Sequence, residues 1–209
     1  MKIPSLYTLI IAMLLVSVTD VQAEGVPQWW SKSAETARQL HLFWVQGNAA
    51  QNYSGRVIAV SDGDTVRVVD SNGNKHKIRL AYIDAPELQQ AHGTASRDAL
   101  RETLQGKNVE VTVFETDQYK REVAQVHLKN GQDVNLAQLQ QGHAWHYVSI
   151  AKRKQNAFDY AAYAYAEANA RQDSRGLWRN RNPQAPWDYR KAQRQTQKPL
   201  QNDALWQLW

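Results

Sequence analysis

The chain has 209 residues and no cysteine, which excludes disulfides, a cysteine nucleophile and thiolate metal sites. Its formal net charge is +5, a balance that suits a polyanionic partner such as nucleic acid, anionic lipid or acidic glycan, or simply a solvated surface. A chain of this length holds one domain with its own core, plus extensions.

Lys2, an apolar run from Leu6 to Val18 and the small-residue pattern Val21-Gln22-Ala23 predict a signal peptide over residues 1–23. The run is shorter than the roughly 20 residues of a membrane span. The expected mature chain therefore starts at about Glu24 and is secreted or periplasmic, without stable membrane insertion after signal removal. Residues 24–52 read as an amphipathic helical arm, with Trp30, Ala34, Ala37, Leu40, Leu42 and Trp44 near helical spacing.

From Tyr53 the period changes towards two. Val57, Val60, Val66 and Val68 predict two strands joined by "SDGD", and Ser71-Asn72-Gly73-Asn74 a hairpin turn. The carboxylates of Asp62 and Asp64, either side of a glycine, suit a tight turn. They equally suit a cation, because adjacent carboxylates repel unless a positive ion lies between them. Lys75 to Ile83 reads as a third strand, broken at Pro86. Gly93 to Leu104 reads as a helix, Val109 to Val113 as a fourth strand and Val123 to Leu128 as a fifth. Val134 to Gln141 and the alanine-rich Phe158 to Arg171 read as two more helices. Residues 181–209 read as a polar tail containing Trp187, Trp206 and Trp209, packed on the domain. The fold class predicted for residues 53–180 is α+β, mainly β: a five-stranded OB-fold barrel with about three packed helices.

The polar residues that interrupt the strands are, in order, Asp62, Asp64, Arg79, Asp84, Glu87, Tyr119 and Arg121. Carboxylates interleaved with arginines suit phosphodiester hydrolysis. A hard divalent cation takes oxygen ligands, guanidinium groups match phosphate, and a free carboxylate can act as general base for water. Taken singly, Arg79 and Asp84 also suit a structural ion pair, and Arg121 a solvated turn.

The segments "VSDGDTVRV", "KIRLAYIDAPE", "GTASRDAL", "TDQYKREVAQVHL", "NGQDVNLAQLQQGHA" and "SRGLW" stand in one order, and together they resemble the staphylococcal nuclease (thermonuclease) family. The resemblance implies an OB-fold, calcium-dependent phosphodiesterase acting on DNA and RNA; the chain is expected to be a monomer. It implies Ca²⁺ on Asp64 and Asp84, with Asp62 and Thr65 beside them and the Ala85 carbonyl at a backbone ligand position. It implies Glu87 as general base, Arg79 and Arg121 as the phosphate arginines, and Tyr119 as a substrate contact, with Tyr147 near the place of a second tyrosine. The family commonly has glycine where this chain has Lys120. A positive φ there would strain lysine and could misaim Arg121, whereas its charge could equally grip phosphate.

The rivals are weaker. A non-catalytic nucleic-acid-binding OB module would not need Glu87 and both arginines, and an adaptor reading would rest on the Trp-rich ends alone. An EF-hand would place glutamate at Gly73; His143 and His146 lack a third zinc ligand motif; His127, Lys129 and Asp133 miss the spacing of a phospholipase-D-type site. Tyr160, Tyr163 and Tyr165 read as packing residues, and Lys152-Arg153-Lys154 as a solvated face.

Overall fold

Alternating valines build the wall of a barrel in the computed structural model, which describes residues 51–196. The chain divides at Ala50 and Gln51 into two units, and the described residues all belong to the second. The expected signal peptide, the helical arm up to residue 50 and the Trp206/Trp209 end lie outside the described residues; Gln51 and Asn52, expected to end the arm, are instead strand, paired with Val113 and Thr112.

Strand β1 (Gln51–Val60), β2 (Thr65–Asp70) and β3 (Lys75–Leu80) form an antiparallel meander. Strand β5 (Asn108–Thr116) returns antiparallel to β1, and β6 (Glu122–Leu128) pairs antiparallel with β5. A parallel pairing of β3 with β6 closes the barrel in the order β1-β2-β3-β6-β5. This is the five-stranded OB-type barrel that the strand pattern predicts. Period-two alternation does the sorting: Val109, Val111 and Val113 are buried along β5 while Asn108 and Glu110 face solvent.

The third strand departs from its expected length. It stops at Leu80, and Ile83–Asp84 restarts as β4, paired with β7 (Trp145–His146) in a separate two-stranded sheet. The reason lies at Tyr82, whose φ of 63° turns the chain. Before the turn, the Leu80 N–H donates to the Asp64 carbonyl (2.8 Å) and the Ala81 N–H to the Ala124 carbonyl (2.8 Å). The break carries Asp84 off the barrel wall.

Helix α1 (Gly93–Leu104) buries Leu100 and Leu104 against the barrel. Helix α2 (Val134–Gln140) begins at Asp133, whose side chain accepts from the Leu136 N–H (3.1 Å) and from the Tyr163 hydroxyl (2.8 Å). Tyr163 lies on α4 (Ala157–Gln172) and is a packing residue, as its spacing suggests. The buried Asn135 ties two levels together. Its amide donates to the carbonyls of Ala81 and Ala124 (3.1 Å each), and its oxygen accepts from the Val126 N–H (3.2 Å).

Two α-helices exceed the predicted set. One is α3 (Val148–Lys154), whose last three residues are the exposed basic run. The other is α5 (Pro186–Thr196), inside what reads as a polar tail. Pro186 is its only buried residue, so no apolar periodicity announces it; proline opening a helix is the one local signal. Among the described residues no helix is long and apolar enough to cross a membrane.

A charged cluster sits where β2, β3 and β6 meet. Both ring nitrogens of His76 face carboxylates, Nδ1 to Glu122 Oε1 (2.8 Å) and Nε2 to Asp70 Oδ2 (3.3 Å), with the Tyr53 ring stacked on the imidazole. Burial pushes the His76 pKa down, but the bonds to Glu122 and Asp70 outweigh it and hold the ring above the ordinary 6.5. A raised folded value means the cluster stabilises fully below the unfolded pKa and loses its contribution as pH rises through the folded one. Thermal midpoints should fall over that interval in the wild type and stay flatter in His76→Gln. Equal slopes in the two proteins would remove His76 from the pH dependence.

Candidate active site

The loop Ser61 to Asp64, between β1 and β2, is both a turn and a carboxylate platform. Asp62 Oδ1 accepts from the Asp64 N–H (3.0 Å), and the Ser61 N–H donates to the Thr65 carbonyl (2.9 Å). Glycine between the aspartates is a packing requirement. A Cβ on Gly63 would lie 1.9 Å from Ser96 Oγ and 2.7 Å from Ala85 Cβ. The Gly63 carbonyl is held by Gln138 Nε2 at 2.8 Å.

Asp64 is buried and fully engaged. Its Oδ2 accepts from the Ala85 N–H (2.7 Å) and pairs with Arg79 Nη1 (2.9 Å), while Oδ1 accepts from the Thr65 hydroxyl (3.1 Å). Register explains the meeting: Thr65 pairs with Arg79 across β2 and β3. Arg79 also donates through Nη2 to Asp84 Oδ1 (2.8 Å) and through Nη1 to the carbonyls of Leu80 (3.1 Å) and Ile83 (3.0 Å). One guanidinium thus joins the Asp64 loop to β4, and the ion pair of Arg79 with Asp84 is present. Burial and then the neighbouring Asp64 charge push the Asp62 carboxyl up from its ordinary range. For Asp84, wholly buried, burial pushes the same way and the guanidinium contacts oppose it.

Glu87 follows β4 across Pro86. Its N–H donates to Gln90 Oε1 (3.2 Å), and the Gln90 N–H donates back to the Glu87 carbonyl (2.8 Å). Gly93 permits this loop: a Cβ there would lie 1.8 Å from the Glu87 carbonyl oxygen.

The β5–β6 turn supplies the second arginine. Asp117 Oδ1 accepts the N–H groups of Tyr119 and Arg121 (2.9 Å each), and Oδ2 accepts from Arg121 Nε (2.8 Å). Partial burial pushes the Asp117 carboxyl up, but these bonds outweigh it and hold it below the usual range. The Arg121 guanidinium lies 5.3 Å from the centre of the Tyr119 ring, which is 67% exposed. Tyr147 precedes α3 and donates its N–H to the Tyr82 carbonyl (2.8 Å).

These elements meet at one cleft of about 560 Å³, lined by Asp62, Asp64, Arg79, Asp84, Glu87, Tyr119, Arg121 and Tyr147. Of the candidate residues, Thr65 acts behind Asp64, and Lys120 is not among the lining. A larger cavity of about 1110 Å³ lies beyond Pro86 and is lined by His92, His143 and Arg175, without the carboxylate and arginine set. His143 and His146 do not share a site: His143 Nδ1 meets His92 Nε2 (3.0 Å) and His146 Nε2 meets Gln155 (3.0 Å).

Sequence reasoning missed three participants. Asp117 sits inside a quoted motif and could have been found as the residue capping its turn. Trp187, at 5.7 Å, stacks on Tyr147. Arg190 of α5 reaches the heart of the cleft, and no local signal marks it. Its Nη2 donates to Asp84 Oδ2 (2.7 Å), and its Nη1 to Glu87 Oε1 (2.8 Å) and Asp84 Oδ1 (3.2 Å).

The donors gathered here are hard carboxylate oxygens, the type calcium takes. As the side chains stand, Asp64, Asp84 and Glu87 turn oxygens to Arg79 or Arg190, and among the described residues no three His, Cys, Asp or Glu side chains converge in ligating geometry. Arg190 is itself a stand-in cation: it shows that a positive group fits between Asp84 and Glu87.

Comparison with known proteins places the chain. The family described as Staphylococcal nuclease homologue matches residues 77–180. An uncharacterized endonuclease of Escherichia coli is 40% identical over 136 residues, covering 65% of this chain and 84% of its own. The chain belongs to the staphylococcal nuclease family. A micrococcal nuclease of Shigella flexneri is 36% identical over 149 residues, covering 68% of this chain and 82% of its own. A probable staphylococcal-like nuclease of Oryza sativa subsp. japonica is 36% identical over 139 residues, 66% of this chain, of which the chain spans only 34%.

Lys120 departs from the glycine common in the staphylococcal nuclease family, and it carries the strain that glycine avoids, with φ 58°. Arg121 is nonetheless fixed by Asp117. Lys120→Gly should therefore raise stability by about 0.5–1 kcal/mol, read by denaturant unfolding. A loss of stability would show that the lysine side chain makes a compensating contact.

Proposed function

We propose that this protein is an exported, calcium-dependent nuclease that hydrolyses phosphodiester bonds of DNA, RNA or both. One observation carries the reading: three aspartates, Glu87 and two anchored arginines line a single cleft. Relatives named as nucleases support the reaction class.

In this reading Asp64 and Asp84 hold the cation with Asp62 beside them, and Thr65 orients Asp64 through its hydroxyl. Bound calcium would supply positive charge that polarises a phosphoryl oxygen. Glu87 accepts the proton of the attacking water at a carboxylate oxygen. Arg79 and Arg121 stabilise the charge that grows on phosphorus-bound oxygens, and both guanidinium groups are fixed in advance, so little reorganisation opposes the reaction. Tyr119, exposed beside Arg121, contacts the nucleic acid, and Lys120 adds attraction to phosphate.

Calcium should support cleavage and a calcium chelator should abolish it. Glu87→Gln should slow single-turnover cleavage by about 10²- to 10⁴-fold while oligonucleotide binding survives. Cleavage by Glu87→Gln at the wild-type rate would remove the glutamate from the mechanism. Wild type that binds but does not cut with calcium present would indicate a binding module instead.

Export follows from the N-terminal pattern. Mass spectrometry of natively expressed protein should find a mature N-terminus at about Glu24, in a periplasmic or external fraction. An intact Met1 in the cytoplasm would refute it.

A further inference from the structure

Arg190 places a guanidinium against both oxygens of Asp84 and against Glu87. These are the cation carboxylate and the general base of the reaction proposed above, on which this inference rests. Three residues earlier on α5, Trp187 lies face to face with Tyr147 (5.7 Å, 15°) and edge-on to Trp145 (5.5 Å, 71°). A single helix therefore covers the acidic centre and one aromatic wall of the same cleft. We propose that α5 is an intrinsic strap that competes with the cation and the nucleic acid, with Arg190 in the cation's place and Trp187 on Tyr147.

Two features make it a strap rather than a fixed part of the core. The chain before the helix is anchored: the Gln184 carbonyl accepts from Gln90 Nε2 (2.5 Å) and Ala185 is buried. The helix itself buries only Pro186, so its docking depends on the arginine fork and the tryptophan. An element with so little buried apolar surface opens at low cost. Asp84 is wholly buried, and Arg79 reaches only its Oδ1, so Oδ2 still needs a positive partner. Arg190 and a divalent cation each answer that need, and both cannot occupy the same oxygens. Binding a cation therefore releases α5, and releasing α5 raises cation affinity, since linkage is reciprocal. A polyanionic substrate also favours the open form, by offering phosphates to the freed arginine.

The test pairs calcium affinity, by calorimetry, with hydrogen exchange of the amides of residues 187–196. Saturating calcium should lower protection of those amides in the wild type. Arg190→Gln should lose protection without calcium and bind calcium about 10- to 100-fold more tightly, because the competent state is no longer held closed. Trp187→Ala, which leaves every carboxylate and arginine in place, should move both readouts the same way and guards against a folding defect in the first variant. Equal calcium affinity in wild type and both variants, or unchanged protection at saturating calcium, would overturn the strap and leave the nuclease reading standing. Absence of calcium binding in all three proteins would overturn both.

Discussion

Asp84 is wholly buried, and a buried carboxylate without a partner costs several kcal/mol. Its pairing with Arg79 is the constraint from which the site follows. Arg79 shares its guanidinium between Asp84 and Asp64 and spends further N–H groups on the carbonyls of Leu80 and Ile83. That one side chain fixes the position of the β1–β2 loop relative to β4. Glu87, three residues on from Asp84, inherits its place from the same anchor.

Around this pair the barrel acts as a clamp. The site loops leave adjacent barrel strands, so the β2–β3 register sets which residues meet: Thr65 faces Arg79, and Asp64 comes with it. Two close approaches then lock the loops from behind. Gly63 admits Ser96 of α1, and Gly93, at the start of α1, admits the Glu87 carbonyl. The same helix therefore supports both acidic loops, and the barrel core beneath it, through Leu100 and Leu104, keeps the helix in place. Preorganisation of this kind suits a reaction whose transition state gathers charge rather than needing large motion.

The surplus of negative charge at the cleft also explains why α5 docks where it does. A helix with almost no apolar face has little reason to sit on a barrel, but a fork of N–H donors facing a buried carboxylate has a strong one. The negative charge that suits the cleft to a cation also makes it a target for the protein's own arginine. In the proposed reading, stability and activity are set against each other at Asp84, since Arg190 occupies oxygens that the cation would take.

The sequence by itself determined the barrel, because burial in a strand follows a period of two and Val109, Val111 and Val113 show it in the bare chain. It also determined the candidate cluster from Asp62 to Arg121, because those residues stand in ordered local motifs. Lys120 was marked only by the family resemblance, as a residue that a positive φ would strain, and its φ is 58°. Other features depend on contacts distant in sequence. The break after Leu80 is made by Tyr82 and by bonds to Asp64 and Ala124, neither of which lies near it in the chain. Helix α5 carries no apolar stripe, so periodicity had nothing to read. Arg190 meets Asp84 from more than a hundred residues away, and its role comes from the charge it finds there. Local patterns encode which face of an element is buried; only the tertiary structure decides which charges are brought together once those faces are packed.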